Sequence, residues 1–154
     1  MCTAVPTWDD ALFVDVAAGW VPVANDVPLI LGAGVRFAEI HEVWARTGYM
    51  PTGDDVGYAF VVLGYRAVLR PHEVVRPVLG GYVVALPATC THDAAGDPSC
   101  TSDALFVLSA TGGVRIEPVP WLGFFALLSV GLDSYPNPFG MVELGATWSF
   151  VPFS

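Results

Sequence analysis

The sequence predicts an all-β chain folded as an up-and-down antiparallel transmembrane β-barrel, and three observations predict it. The first is composition. Of 154 residues, 54% are hydrophobic and only 14% are charged, against about 25% charged in an ordinary soluble domain. Mean hydropathy is positive, so much of the surface need not face water. The second is that the apolar content is never continuous. The stretches without Asp, Glu, Lys or Arg at residues 77–91 and 118–132 are broken by proline or glycine. Neither offers the ~20 apolar residues of a spanning helix. The third is alternation with period two, which gives a strand two unlike faces.

Seven segments alternate in this way: residues 11–23, 27–39, 56–70, 74–86, 103–117, 121–133 and 139–152. In the first, Leu12, Val14, Val16, Ala18 and Trp20 share one face, and Phe13, Asp15, Ala17 and Gly19 the other. In the second, Leu29, Leu31, Ala33, Val35 and Phe37 stand against Ile30, Gly32, Gly34 and Arg36. The fifth sets Phe106, Leu108, Ala110, Val114 and Ile116 against Ser109, Thr111, Gly113, Arg115 and Glu117. The last sets Val142, Leu144, Ala146, Trp148 and Phe150 against Glu143, Gly145, Thr147 and Ser149. The fourth is less regular: Arg76 and Tyr82 share a parity that Pro77 blurs. Sixteen glycines and thirteen prolines suit short strands and tight turns.

The charges decide which face is inside. Asp15, Arg36, Arg66, Arg70, Arg115, Glu117, Asp133 and Glu143 all fall on the face that also carries glycine, serine and threonine. A soluble sandwich would pair an apolar inside with a generously charged outside. A sparse, small-residued polar face of mixed sign instead fits a narrow lumen with lipid outside. Asp15, Arg36, Arg66, Arg115 and Glu143 are the candidate lumen network. Read as a gate it would pass ions; read structurally, it is a plug of ion pairs that satisfies buried charge, and this reading is preferred because about eight strands leave an interior just filled by side chains.

Connections alternate between two ends. Those at residues 24–26, 71–73 and 118–120 are short, whereas 40–55 and 88–102 are long and 134–138 is brief. Long loops at one end and turns at the other is the outer-membrane arrangement. On this reading Trp20, Trp121, Trp148 and Phe150 form an aromatic girdle toward the short-turn end, with Phe37 and Phe106 toward the loops.

The rhythm of residues 11–153, the motifs Leu31-Gly-Ala-Gly-Val-Arg36 and Leu63-Gly-Tyr-Arg66, and the closing run Val142-Glu-Leu-Gly-Ala-Thr-Trp-Ser-Phe150 together resemble the small bacterial outer-membrane barrels of the OmpA transmembrane-domain and OmpX type. The resemblance implies a non-enzymatic barrel in the bacterial outer membrane with a structural or surface-interaction role. It implies outer-membrane lipid and the barrel-assembly machinery as partners; a surface partner is not specified. Barrels of this type have an even strand count. Seven segments therefore imply an eighth, either a strand preceding this chain, which is preferred, or part of residues 37–49. That segment also has helical spacing, with Phe37, Ile40, Val43 and Trp44 on one face. The chain reads as a single domain over 1–154 lacking its signal peptide, since residues 1–6 hold no basic or apolar leader region.

Other functions are weighed against this one. Net charge is −9 and all six basic residues are arginine, which excludes nucleic acid and polybasic lipid attraction. Cys90 and Cys100 bracket a polar loop, and an oxidising exterior would let them pair as a disulfide. No Cys-x-x-Cys pair exists, and His92 alone cannot complete a zinc site, so no metal or other cofactor is expected. His41, His72 and His92 fall in connections, which disfavours a lipid-modifying Ser–His–acid enzyme. Gly32 and Gly34 lack the setting of a nucleotide loop and read as relief of crowding in a barrel wall. The rival from another class is a soluble or periplasmic lipocalin-type barrel with an apolar inside for a small ligand. Weaker rivals are the lipid-modifying enzyme and a small ion channel.

Overall fold

A computed structural model describes residues 10–22, 25–51, 57–86, 89–92, 98–101, 105–133 and 138–150. Its strands are β1 (Ala11–Trp20), β2 (Leu29–Phe37), β3 (His41–Pro51), β4 (Gly57–Val68), β5 (Val75–Leu86), β6 (Thr89–His92), β7 (Pro98–Thr101), β8 (Leu105–Val119), β9 (Leu122–Asp133) and β10 (Pro138–Phe150). Eight of them close a barrel in the order β1-β10-β9-β8-β5-β4-β3-β2, while β6 and β7 pair as a separate hairpin. Every neighbouring pair in the barrel is antiparallel. Closure leaves the barrel without an edge, the condition for placing a sheet in lipid.

The eighth strand is β3. Residues 40–50 are neither a long connection nor a helix, and the barrel closes without a strand ahead of Ala11. The helical spacing of Phe37, Ile40, Val43 and Trp44 loses to a ladder on both sides: β3 pairs with β2 from Leu29↔Tyr49 to Phe37↔His41 and with β4 from His41↔Ala67 to Pro51↔Gly57. A lone helix there would leave the facing edges of β2 and β4 unpaired.

Adding β3 reassigns the ends. The turn between β1 and β2, with its Val21↔Asp26 bridge, joins the loop end, where it was expected at the short-turn end. Opposite it lie the three-residue turn Ala38-Glu39-Ile40, the β4–β5 turn and the Pro120-Trp121 turn. Ala38, Glu39 and Arg70 take positive φ in those turns.

Alternation is carried into burial residue by residue. Along β1, Leu12, Val14, Val16 and Trp20 are exposed, while Phe13, Asp15 and Ala17 are buried. The pairing also climbs. Followed round from Ala11, it passes through Arg36, Glu42, Arg66, Gly80, Thr111 and Ser129 to Met141, beside the Val142 that pairs with Trp20. One circuit thus advances about ten residues along β1, from 11 to 21, which tilts the strands. Tilt brings inward residues distant in sequence to one level of the lumen.

Candidate functional site

The site is the filled interior. On β3 the inward parity is Glu42, Trp44, Arg46 and Gly48. β1 contributes Asp15, β2 Arg36, β4 Arg66, β5 Arg76, β8 Arg115 and Glu117, and β10 Glu143. Among the described residues the interior therefore holds five guanidinium groups and four carboxylates, each nearly inaccessible. An isolated buried charge is costly, so each of these needs a partner of opposite sign, and each has one.

Glu42 is the hub. Arg115 donates from Nη1 to Glu42 Oε1 at 2.6 Å and from Nη2 to Oε2 at 2.9 Å, the bidentate fork that arginine is shaped for. Arg36 Nε donates to Glu42 Oε1 at 2.9 Å, and Arg66 Nε donates to Oε2. Glu117 is the second acceptor. It takes Arg36 Nη2 at 2.8 Å and Arg115 Nη1 at 3.1 Å, and pairs with Arg76. Arg46 anchors a mid-barrel triad, donating to Asp15 Oδ2 at 2.7 Å and to Glu143 Oε1 at 2.6 Å. Arg66 Nη2 lies 3.5 Å from Asp15 Oδ2, so the two groups join into one network.

Aromatic faces hold the arginines in place. Arg46 lies over Trp44 at 4.4 Å and over Phe125 at 5.4 Å. Arg66 lies over Phe13 at 5.3 Å and Phe125 at 5.6 Å. Glycines on the same face make room. A Cβ on Gly64 would sit 2.2 Å from the Trp44 ring, and one on Gly32 would sit 2.3 Å from Arg46 Cγ. The Gly32 and Gly34 motif relieves crowding in the wall, at the cost of weaker strand propensity.

Toward the loop end the interior changes character. Ile30, Phe60, Val62, Val84, Val107 and Met141 are buried there, the loop-end part of an apolar cluster that continues down the wall to Val68 and Val78 beside the β4–β5 turn. Ser129 Oγ donates to Thr111 Oγ1 at 3.1 Å between the two regions. Arg46, in register with Val62, and Glu143, two residues from Met141 on the same inward face, border that cluster.

Of the residues singled out from sequence, Asp15, Arg36, Arg66, Arg115 and Glu143 are brought together inside, with Glu117 beside them. Arg70 is not: it lies in the exposed β4–β5 turn, 3.4 Å from Glu73, because the strand ends before it. The Asp133 side chain lies outside the described residues. The sequence reading missed Glu42 and Arg46, which sat in the unassigned segment, and left Arg76 without a role. Their signal was the alternation of Glu42, Trp44, Arg46 and Gly48 with Val43, Ala45, Thr47 and Tyr49.

Outside, Leu31 is 63% exposed and Leu108 68%. This is the reverse of an apolar cup for a small ligand. Trp121, Trp148 and Phe150 lie toward the short-turn end, but Trp20 lies at the loop end and Phe37 at the turn end, opposite to expectation, because β3 inverts the direction assigned to β1 and β2. His41 begins β3 and is not in a connection. It stacks between Phe37 and Tyr65, 2.6 Å from Tyr65 Oη. His72 Nε2 reaches Glu39 Oε2 at 3.5 Å between two turns. Among the described residues no group of three or more His, Cys, Asp or Glu could hold a metal ion. Cys90 and Cys100 are direct partners in the β6–β7 register; their side chains, like that of His92, lie outside the described residues.

No protein-family model matches the sequence, and no curated protein matches it. Solved structures do resemble the fold. The N-terminal β-barrel domain of Pseudomonas aeruginosa OprF superposes with a TM-score of 0.70 at 11% identity, over 94% of this chain and all of that one. Neisserial surface protein A superposes with a TM-score of 0.64 at 14% identity, covering 92% of this chain and 96% of that one. Yersinia pestis Ail, in complex with the heparin analogue sucrose octasulfate, gives 0.52 at 17% identity, covering 92% and 97%. The chain has the fold of the small outer-membrane barrels.

Proposed function

We propose that this chain is a non-enzymatic, non-conducting barrel of the bacterial outer membrane. It serves the envelope as a membrane-embedded scaffold that presents its longer connections at the cell surface. The observation that carries the reading is the inversion of the usual economy of a globular protein: leucines outside and within them a network in which every buried arginine touches a carboxylate. Only a lipid exterior makes that arrangement favourable, since lipid solvates apolar side chains and rejects charge. The apolar cluster toward the loops supports a sealed lumen, because a dry constriction opposes ion passage.

The connections at the loop end carry Asp26, Asp54, Asp55, Asp93, Asp97 and Asp103 and no Lys or Arg. That composition favours a cationic surface partner over a polyanion such as the heparin analogue seen with Ail.

The test is reconstitution in lipid vesicles. With Cys2, Cys90 and Cys100 replaced by serine, single cysteines placed at Leu31 and Leu108 should react with a lipid-soluble thiol reagent and not with a water-soluble one. Planar bilayers holding the protein should show no steady conductance. A monomer that stays in solution without detergent would overturn the membrane reading. A stable open channel would overturn the sealed one.

A further inference from the structure

We infer that Cys90 and Cys100 form a disulfide that staples the β6–β7 hairpin, and that Pro98 fixes the geometry that permits it. The hairpin pairs Thr89↔Thr101, Cys90↔Cys100, Thr91↔Ser99 and His92↔Pro98. In an antiparallel ladder, opposed residues alternate between pairs that exchange both backbone hydrogen bonds and pairs that exchange none. Proline has no N–H, so His92↔Pro98 cannot be a pair that exchanges both. It is therefore a non-hydrogen-bonded site. Two residues further along each strand the type repeats, so Cys90↔Cys100 is a non-hydrogen-bonded site as well. Such sites bring Cα atoms to about 4.5 Å and the attached side chains closest together, inside the roughly 4.4–6.8 Å span of disulfides. Thr91↔Ser99, the hydrogen-bonded site between them, would place thiols less favourably. One proline thus selects which positions on the hairpin can be bridged, and cysteines occupy one of them.

The bond forms by loss of the Cys90 and Cys100 thiol hydrogens. The two electrons and two protons pass to a disulfide oxidant, which becomes a dithiol, through a mixed disulfide. In the cell that oxidant belongs to the compartment the chain is exported through, so occurrence of the bond in vivo rests on the outer-membrane reading, whereas the geometry does not.

The experiment uses the full chain refolded in detergent micelles and exposed to oxidised glutathione, which tests the geometry apart from localisation. A protease directed to aspartate cuts before Asp93 and Asp97 and separates the two cysteines. The expected product is a pair of peptides held together, two hydrogens lighter than the sum of its reduced halves and parted by reductant. Free thiols at both positions, stable glutathione adducts at both, or a link from either to Cys2 would overturn the inference. A double variant, C90S with T91C, moves one thiol by a single position onto the other face of the hairpin. Its intramolecular oxidation should be at least tenfold slower, as an order of magnitude. Equal rates would mean that the register does not govern the reaction, and the argument from Pro98 would fall. Protein extracted from the outer membrane of an expressing host should carry the same link. If it lies in that membrane with both thiols free, this inference fails while the proposed location stands.

Discussion

The two halves of the lumen solve one packing problem with opposite chemistry. Toward the short turns, Arg36, Glu42, Arg76, Arg115 and Glu117 fill the space with charge, each paired. Toward the loops, Ile30, Phe60, Val62, Val84 and Met141 fill it with hydrocarbon. Both halves bury their side chains, yet they differ in what a single lost side chain leaves behind. In the apolar half a truncation leaves a cavity. In the charged half it leaves buried guanidinium groups short of negative charge. The charged half should therefore be the more brittle and the more particular about its partners.

The largest expected effect tests that contrast directly. Glu42→Ala takes the shared carboxylate from Arg36, Arg66 and Arg115, leaves Glu117 and Asp15 as their remaining acid partners, and should lower unfolding free energy in detergent by about 3–5 kcal/mol, the usual cost of breaking a buried pair. Val62→Ala, in the apolar half, should cost only about 1.6 kcal/mol, two methylene-equivalents of burial. Urea titrations of both variants, followed by the shift of the folded band on unboiled gels, measure the difference. Equal losses would erase the distinction between the halves. Between these two in size is Gly64→Val at the boundary. A side chain there meets the Trp44 ring and should cost about 1–3 kcal/mol by overpacking. Adding Trp44→Ala to that variant should recover part of the loss, and a purely additive pair would show that Gly64 is not there to admit the indole. The smallest effect is outside the barrel. Arg70 and Glu73 are well exposed at 3.4 Å, so Arg70→Ala should change stability by less than about 0.5 kcal/mol. A loss near that of Glu42→Ala would mean that position inside the lumen is not what gives the buried arginines their weight.

Much of the fold and of the inward charge was legible in the sequence, and the limits of that reading have physical causes. Parity alone placed Asp15, Arg36, Arg66, Arg115 and Glu143 on one face, because a strand leaves no third choice. Which acid meets which arginine was not legible. Glu42 and Arg115 meet across the lumen only because tilted strands raise distant residues to one level, and the stagger that sets this is a property of the closed sheet. Glu42 itself was hidden by a coincidence: the spacing of Phe37, Ile40, Val43 and Trp44 suits a helix as well as Glu42, Trp44, Arg46 and Gly48 suit a strand. Only the unpaired flanks of β2 and β4 decide between them. The exchange of Trp20 and Phe37 between the two ends followed from the same segment, since one overlooked strand reverses the direction of everything before it. The split of the lumen into a charged and an apolar half was likewise unreadable, because it depends on the level each inward residue occupies.

The seam between β1 and β10 sets the order in which the molecule can be assembled. Leu12 pairs with Phe150 and Trp20 with Val142, nearly the whole chain apart, whereas six of the other seven barrel pairings join strands that are consecutive in the barrel through brief connections. Hairpins can form early and locally; the seam must wait for the last strand to be made. Until it forms, two rows of amide and carbonyl groups are bare, and hydrocarbon offers them nothing. A partly assembled sheet is thus stable where water still reaches its edges and unstable deep in the bilayer. Closure of the ring therefore rests on the pairing of β1 with β10, and only the closed ring satisfies the backbone in hydrocarbon.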